Sequence, residues 1–256
     1  MEYVIKKGAL TAHVDTRGAQ LRALDFDGAA YLWPGGEEWG WSAPVCCPWC
    51  GIVEGGAFEH AGRSYAAGRH GFVRELEHRV VSQTDDTLSL ALDIEEGNAR
   101  WPWPFGLTAS FAARESGLEL SYVIANTGAE TMPLQLGFHP AFLAPAGSRI
   151  VSQRPDMPGG KDVLELSPGL FDAGSLDMAA PESEWFRLER PDGRSVTVDA
   201  AGFTWFLLWG APGKTPFACL EPWCGYPGAG DMFSRPDTVA LKPGESFEKT
   251  LRIELK

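Results

Sequence analysis

Three residues in this chain join a side chain capable of proton transfer to a setting that would shape a site around it. His70 stands in Arg69-His70-Gly71-Phe72-Val73-Arg74, and His139 in Gly137-Phe138-His139-Pro140-Ala141-Phe142. In each segment a small residue lets backbone or ligand come close, and aromatic neighbours can form a pocket wall. Glu221 ends an apolar run, Phe217-Ala218-Cys219-Leu220-Glu221-Pro222-Trp223. A carboxylate there is either held by an ion pair or placed for chemistry, and desolvation would raise its pKa towards that of a useful general base. Local sequence leaves both readings open for all three residues. His13, His60 and His78 sit among ordinary charged residues and read as exposed or half-exposed strand histidines.

The five cysteines raise a different chemistry. Cys47-Pro48-Trp49-Cys50 has the C-x-x-C spacing, and Cys219 and Cys224 would complete four thiolates for zinc. The second pair, however, is four residues apart and split by Glu221. No strand-to-helix setting for a thioredoxin-like redox pair surrounds the first. Buried free thiols are therefore the expectation, and no metal is called for. The chain has no G-x-G-x-x-G opening a helix, no phosphate-cradling P-loop, no H-E-x-x-H and no G-x-S-x-G.

The elements that must position these residues are strands. Leu88, Leu90, Leu92 and Ile94 alternate with small or polar residues. So do Leu107, Ala109, Phe111 and Ala113, then Leu118, Leu120, Tyr122 and Ile124, and finally Leu251, Ile253 and Leu255. A period of two puts one face of each strand on a core. Turn signals separate the runs at Asp85-Asp86, Glu115-Ser116-Gly117, Pro191-Asp192-Gly193 and Lys242-Pro243-Gly244. With no sustained helical period, the expectation is an all-β sandwich of antiparallel sheets, a single domain over residues 1–256. Residues 33–58 and 209–236, crowded with Trp, Pro, Gly and Cys, are the loops expected to carry function.

Composition narrows the function classes. The 256 residues include 30 Gly and 19 Pro, which rules out a helical bundle, and 44% hydrophobic residues, which rules out disorder. A net charge of -12 argues against nucleic acid or an anionic membrane as partner. Ten Trp residues exceed what a core requires and point to aromatic platforms. No segment has the form of a signal peptide or of a bilayer-spanning stretch, so a reduced, cytoplasmic setting is expected. Oligomeric state is not legible.

Over nearly its whole length the sequence resembles the aldose 1-epimerase (galactose mutarotase) family, in particular its shorter bacterial branch. The resemblance is carried by Gly68-Arg69-His70-Gly71-Phe72-Val73-Arg74, by Met132–Phe142 ending in His139-Pro140-Ala141-Phe142, and by Cys219-Leu220-Glu221-Pro222-Trp223-Cys224-Gly225. Early Gly18-Ala19-Gln20-Leu21 and Leu32-Trp33 add to it. The resemblance implies a β-supersandwich and a small sugar as substrate, with no cofactor. It also implies acid–base opening of a pyranose ring, with Glu221 taking the anomeric proton, His139 protonating the ring oxygen and His70 hydrogen-bonding the sugar. Trp49, Trp103 and Trp223 are the expected stacking platforms for the sugar.

One position departs from the family pattern. Where an Arg that contacts sugar hydroxyls is expected, the stretch reads Cys50-Gly51-Ile52-Val53. Either Arg74 or Arg69 takes over that contact, or the substrate or activity has changed. Cys50 and Cys224 flank the two expected site loops, which would put their thiols on the pocket wall. A hexose-6-phosphate epimerase, which needs a basic clamp, and a non-catalytic carbohydrate-binding protein are the alternatives.

Overall fold

The alternation read from the sequence becomes burial. The computed structural model describes residues 1–256 apart from Thr215 and Gly230. Along Phe105–Arg114, Phe105, Leu107, Ala109, Phe111 and Ala113 are buried while the residues between them are half-buried and Arg114 is exposed. Gly117–Asn126 repeats the pattern, and Ser246–Leu255 buries Leu251, Ile253 and Leu255. Among the described residues there are two short 3-10 turns, Glu54–Gly56 and Val73–Glu75, and no α-helix long and apolar enough to cross a membrane.

Two sheets enclose the core. The larger has nine antiparallel strands, with Phe105–Arg114, Gly117–Asn126 and Ser246–Leu255 adjacent at its centre. The second, six-stranded, runs from Leu176–Ala179 through Trp205–Trp209, Phe217–Cys224 and Leu136–Phe138 to Val45–Cys46. They meet through aromatic pairs. Phe186 stacks on Phe206 at 3.8 Å between ring centroids, and Tyr122 meets Phe138 edge-on at 5.6 Å. A four-stranded sheet formed by residues 2–30 is tied to this body by Tyr122, whose hydroxyl donates to the Ala19 carbonyl at 3.0 Å. All four turn signals join consecutive strands. The architecture is the layered antiparallel β-sandwich expected.

His78 departs from its expected exposure. It is 2% exposed and lies outside the strands, with its Nδ1 held by the Thr16 and Leu76 carbonyls at 3.2 and 3.1 Å. Those two carbonyls satisfy Nδ1, while the buried Nε2 has no hydrogen-bond partner among the described residues. Burial lowers its pKa from the ordinary 6.5.

Candidate functional site

Strand register brings His139 opposite Glu221. Every residue of Phe217–Cys224 is buried, because this strand lies inside the six-stranded sheet with the main core on one face and two smaller apolar clusters on the other. Two short strands pair with it in succession. Gly137 pairs with Trp223 and Ala141 with Cys219, so residue 139 between them falls level with residue 221. Gly137 makes this register possible, since a Cβ there would stand 2.5 Å from the Trp223 indole. The result is a contact of 3.3 Å between His139 Nε2 and Glu221 Oε2, with the two residues 6% and 2% exposed.

His70 completes the group from another direction. It has a left-handed backbone (φ +64°), unusual for a residue with a Cβ, and Gly71 follows at +69°. The Gly71 position excludes any side chain, because a Cβ would lie 1.9 Å from the Cys47 carbonyl oxygen. Main-chain bonds pin the turn: the His70 N–H donates to Gly51 at 2.7 Å and the Phe72 N–H to Cys47 at 3.0 Å. The Gly51 N–H donates to His70 Nδ1 at 3.1 Å, with the Cys46 sulfur 3.2 Å from the same nitrogen. Nδ1 is thus an acceptor, so the neutral ring carries its proton on Nε2 as a donor. The His70 and His139 rings meet edge-on at 5.3 Å.

These three residues line one cavity of about 610 Å³, within the range of small-molecule sites. Arg69, Arg74, Asp177, Tyr226, Ile52 and Trp223 share its wall with Trp39, Trp41 and Trp209. Trp39 stacks on His139 at 4.8 Å, and the Arg74 guanidinium lies 4.8 Å over the Trp41 ring. Arg74 also donates to the Arg69 carbonyl at 2.8 Å. Ile52 is half exposed on this wall, and both Arg69 and Arg74 stand on the same wall. The Tyr226 hydroxyl donates to Asp177, and its ring stacks on Trp205 at 3.9 Å.

Burial favours the uncharged form of both members of the central pair. Desolvation raises Glu221 well above its ordinary 4.5, with the Cys46 and Asp177 charges adding to the rise. Desolvation lowers His139 well below 6.5, helped by the positive charge of Arg74. A neutral carboxyl and a neutral imidazole hold one proton between them, O–H to Nε2. Cys219, fully buried, lies beside the pair: one donor atom from each of His139, Cys219 and Glu221 lies within 4.8 Å of the others.

Two expected platforms lie elsewhere. Trp49 is fully buried, packed on Phe72 and Trp101 at 5.9 and 5.6 Å, and donates to the Gly68 carbonyl at 2.8 Å. It is core that supports the His70 turn. Trp49→Ala is expected to lower stability by about 3–5 kcal/mol, read as a fall in the urea midpoint at unchanged slope. Trp103 is 3% exposed and faces a separate cleft of about 800 Å³ beside His60 and Glu130. Cys50 and Cys224 also miss the cavity wall, Cys50 packing with Cys46 and Trp205 and Cys224 in the main core. Cys47, Cys50, Cys219 and Cys224 do not converge as a four-thiolate site, and all five cysteines are free.

Sequence reasoning missed Trp39, Trp41, Trp209, Asp177 and Tyr226. The tryptophans and Tyr226 fall inside the two loop segments singled out above, whereas Asp177 carries no local signal.

Layered antiparallel sheets around such a cavity define a galactose mutarotase-like fold. A galactose mutarotase-like protein from Lactobacillus casei superposes with a TM-score of 0.92 at 24% identity, with all of both chains covered. A putative aldose 1-epimerase from Escherichia coli K12 gives 0.79 at 22% identity, covering 100% of this chain and 99% of its own. The family model for aldose 1-epimerase matches residues 1–168, and the chain belongs to that family. Among curated relatives, the chromosomal LacX protein of Lactococcus lactis subsp. lactis is 28% identical over 88% of each chain. The uncharacterized protein YphB of Escherichia coli K12 is 26% identical over 98% of each.

Proposed function

We propose that this protein interconverts the α and β anomers of a hexose by opening and reclosing the pyranose ring. The observation that carries the reading is the His139–Glu221 contact of 3.3 Å on the wall of the 610 Å³ cavity. Moving the shared proton to the imidazole gives a carboxylate and an imidazolium. The Glu221 carboxylate takes the proton of the anomeric hydroxyl while His139 Nε2 gives its proton to the ring oxygen. The bond between C1 and the ring oxygen breaks, leaving the open-chain aldehyde. After rotation about C1–C2, the same two transfers run backwards on the other face.

Both pKa shifts help this exchange. Ring opening ends with a neutral carboxyl and a neutral imidazole, the states that burial favours. A raised carboxyl is a stronger base and a depressed imidazolium a stronger acid, and each positioned transfer is worth on the order of 10²–10⁴-fold. The Nε2–H of His70 is a donor suited to a sugar oxygen near the reacting carbon. Trp223, Trp39 and Trp209 supply apolar wall for the C–H face of the ring.

The test is exchange of pure α-anomer followed by NMR across a panel of aldoses. The expected result is catalysed equilibration well above the spontaneous rate for at least one neutral hexose. Spontaneous rates throughout, with sugar still binding, would replace this reading by a non-catalytic sugar-binding one. A second reading, a hexose carrying a 6-phosphate, is favoured by Arg69 and Arg74 standing on one wall. It predicts a kcat/KM for the phosphorylated sugar that exceeds that for the neutral one and falls steeply with added salt.

A further inference from the structure

Cys219 has no part in the proposed reaction, yet it stands beside both groups that do. It precedes Glu221 by two residues in a strand, so the two side chains leave the backbone on the same face. That face meets His139, and the three donor atoms lie within 4.8 Å of one another. A thiol, an imidazole and a carboxylate together form a ligand set suited to Zn²⁺. With bonds of about 2.0–2.3 Å, ligand atoms around tetrahedral zinc stand roughly 3.3–3.6 Å apart. His139 Nε2 and Glu221 Oε2 already have that spacing, at 3.3 Å. The thiol must close by at most about 1.2–1.5 Å to reach that spacing.

We propose that His139, Cys219 and Glu221 form a binding site for a thiophilic divalent cation of the Zn²⁺ type, and that its occupancy shuts the sugar site. Three protein ligands leave one tetrahedral position open, on the side where His139 and Glu221 line the cavity. Binding displaces two protons to solvent, one from the thiol and one shared by the carboxyl–imidazole pair, and no electrons move. With the metal bound, the Glu221 lone pair and His139 Nε2 are both engaged, so neither transfer can occur. Among the described residues none of the other four cysteines joins a group of three such ligand atoms. The inhibitory consequence rests on the acid–base reading above, whereas the binding does not.

The experiment therefore reads binding and rate separately, on the full-length chain. Co²⁺ is titrated first, without sugar, as a spectroscopic substitute for Zn²⁺. One equivalent is expected to produce a near-ultraviolet thiolate-to-cobalt band that Cys219→Ala abolishes. Zn²⁺ is then added during anomer exchange. One equivalent is expected to cut the catalysed rate at least about tenfold, with full recovery on EDTA, while Cys219→Ala keeps the uninhibited rate. That variant should need about 10–100-fold more Zn²⁺ for half-inhibition. Should Cys219→Ala not fold, His139→Gln, which leaves the thiol in place, must weaken Co²⁺ binding by a similar factor. Absence of the band in the wild type, or its persistence in Cys219→Ala, overturns the site. An active enzyme that carries the band but is not slowed by Zn²⁺ overturns the inhibition. A chain that shows the band but no exchange activity leaves the metal site standing and removes the catalytic reading instead.

Discussion

Glu221→Gln is expected to lower the catalysed rate of anomer exchange by on the order of 10²–10⁴-fold, about 2.7–5.5 kcal/mol of barrier, without unfolding the protein. Glutamine has the size of the carboxyl and can donate an N–H to His139 Nε2 where the acid donates its O–H, so the 3.3 Å contact survives. It cannot take a proton. The effect on stability has a sign set by burial. Desolvation holds the folded carboxyl well above its ordinary 4.5, so the folded chain keeps a proton that the unfolded chain releases. Wild-type stability attributable to this group is present below 4.5 and is lost as pH rises towards the folded value. Glutamine has no such proton. The melting temperature of the variant should therefore gain on the wild type between about pH 4 and pH 8, by calorimetry at matched ionic strength. A variant that loses both rate and melting temperature, equally at both pH values, would mark Glu221 as a structural ion-pair partner and remove it from the reaction.

What could be read from the sequence depended on whether a residue's surroundings were local. Leu107, Ala109, Phe111 and Ala113 face inward because a strand alternates, and that period is written in the chain. Glu221 was legible because it ends an apolar run in a strand, and the structure buries that whole strand. Loop tryptophans carry no such signal. In residues 33–58 no period says which rings face inward, so Trp49, tightly packed beneath the His70 turn, looked the same as Trp39 and Trp41 on the cavity wall. Asp177 lies on a short edge strand and reaches the cavity only because Leu176–Ala179 pairs with Trp205–Trp209, a partner about thirty residues away. The level placement of His139 and Glu221 likewise depends on two short strands sharing one neighbour, which is a property of topology. Cys219 is the instructive case. Its same-face relation to Glu221 is visible as an i, i+2 spacing, but only the register brings His139 to it.

His139→Gln should match Glu221→Gln in magnitude, on the order of 10²–10⁴-fold, but with the opposite dependence on pH. In the wild type the working unit is the pair carrying one proton. Burial extends the range of that form at both ends, because His139 resists a second proton until well below 6.5 and Glu221 keeps the last one well above 4.5. The rate should therefore hold a plateau around neutrality with an acid limb below the first value and an alkaline limb above the second. Removing the imidazole leaves only a base, and the residual rate of His139→Gln must rise with pH as Glu221 ionises. Removing the carboxylate leaves only an acid, and the residual rate of Glu221→Gln must rise as pH falls and His139 takes up its proton. Rates corrected for the spontaneous reaction across the accessible pH range would show the two slopes directly. The double variant should be about as slow as the slower single one, because a pair that shares one proton acts as a unit and its losses do not add. Parallel slopes in the two variants, or losses that multiply in the double variant, would mean that the proton does not travel between these residues. The contact of 3.3 Å would then be packing.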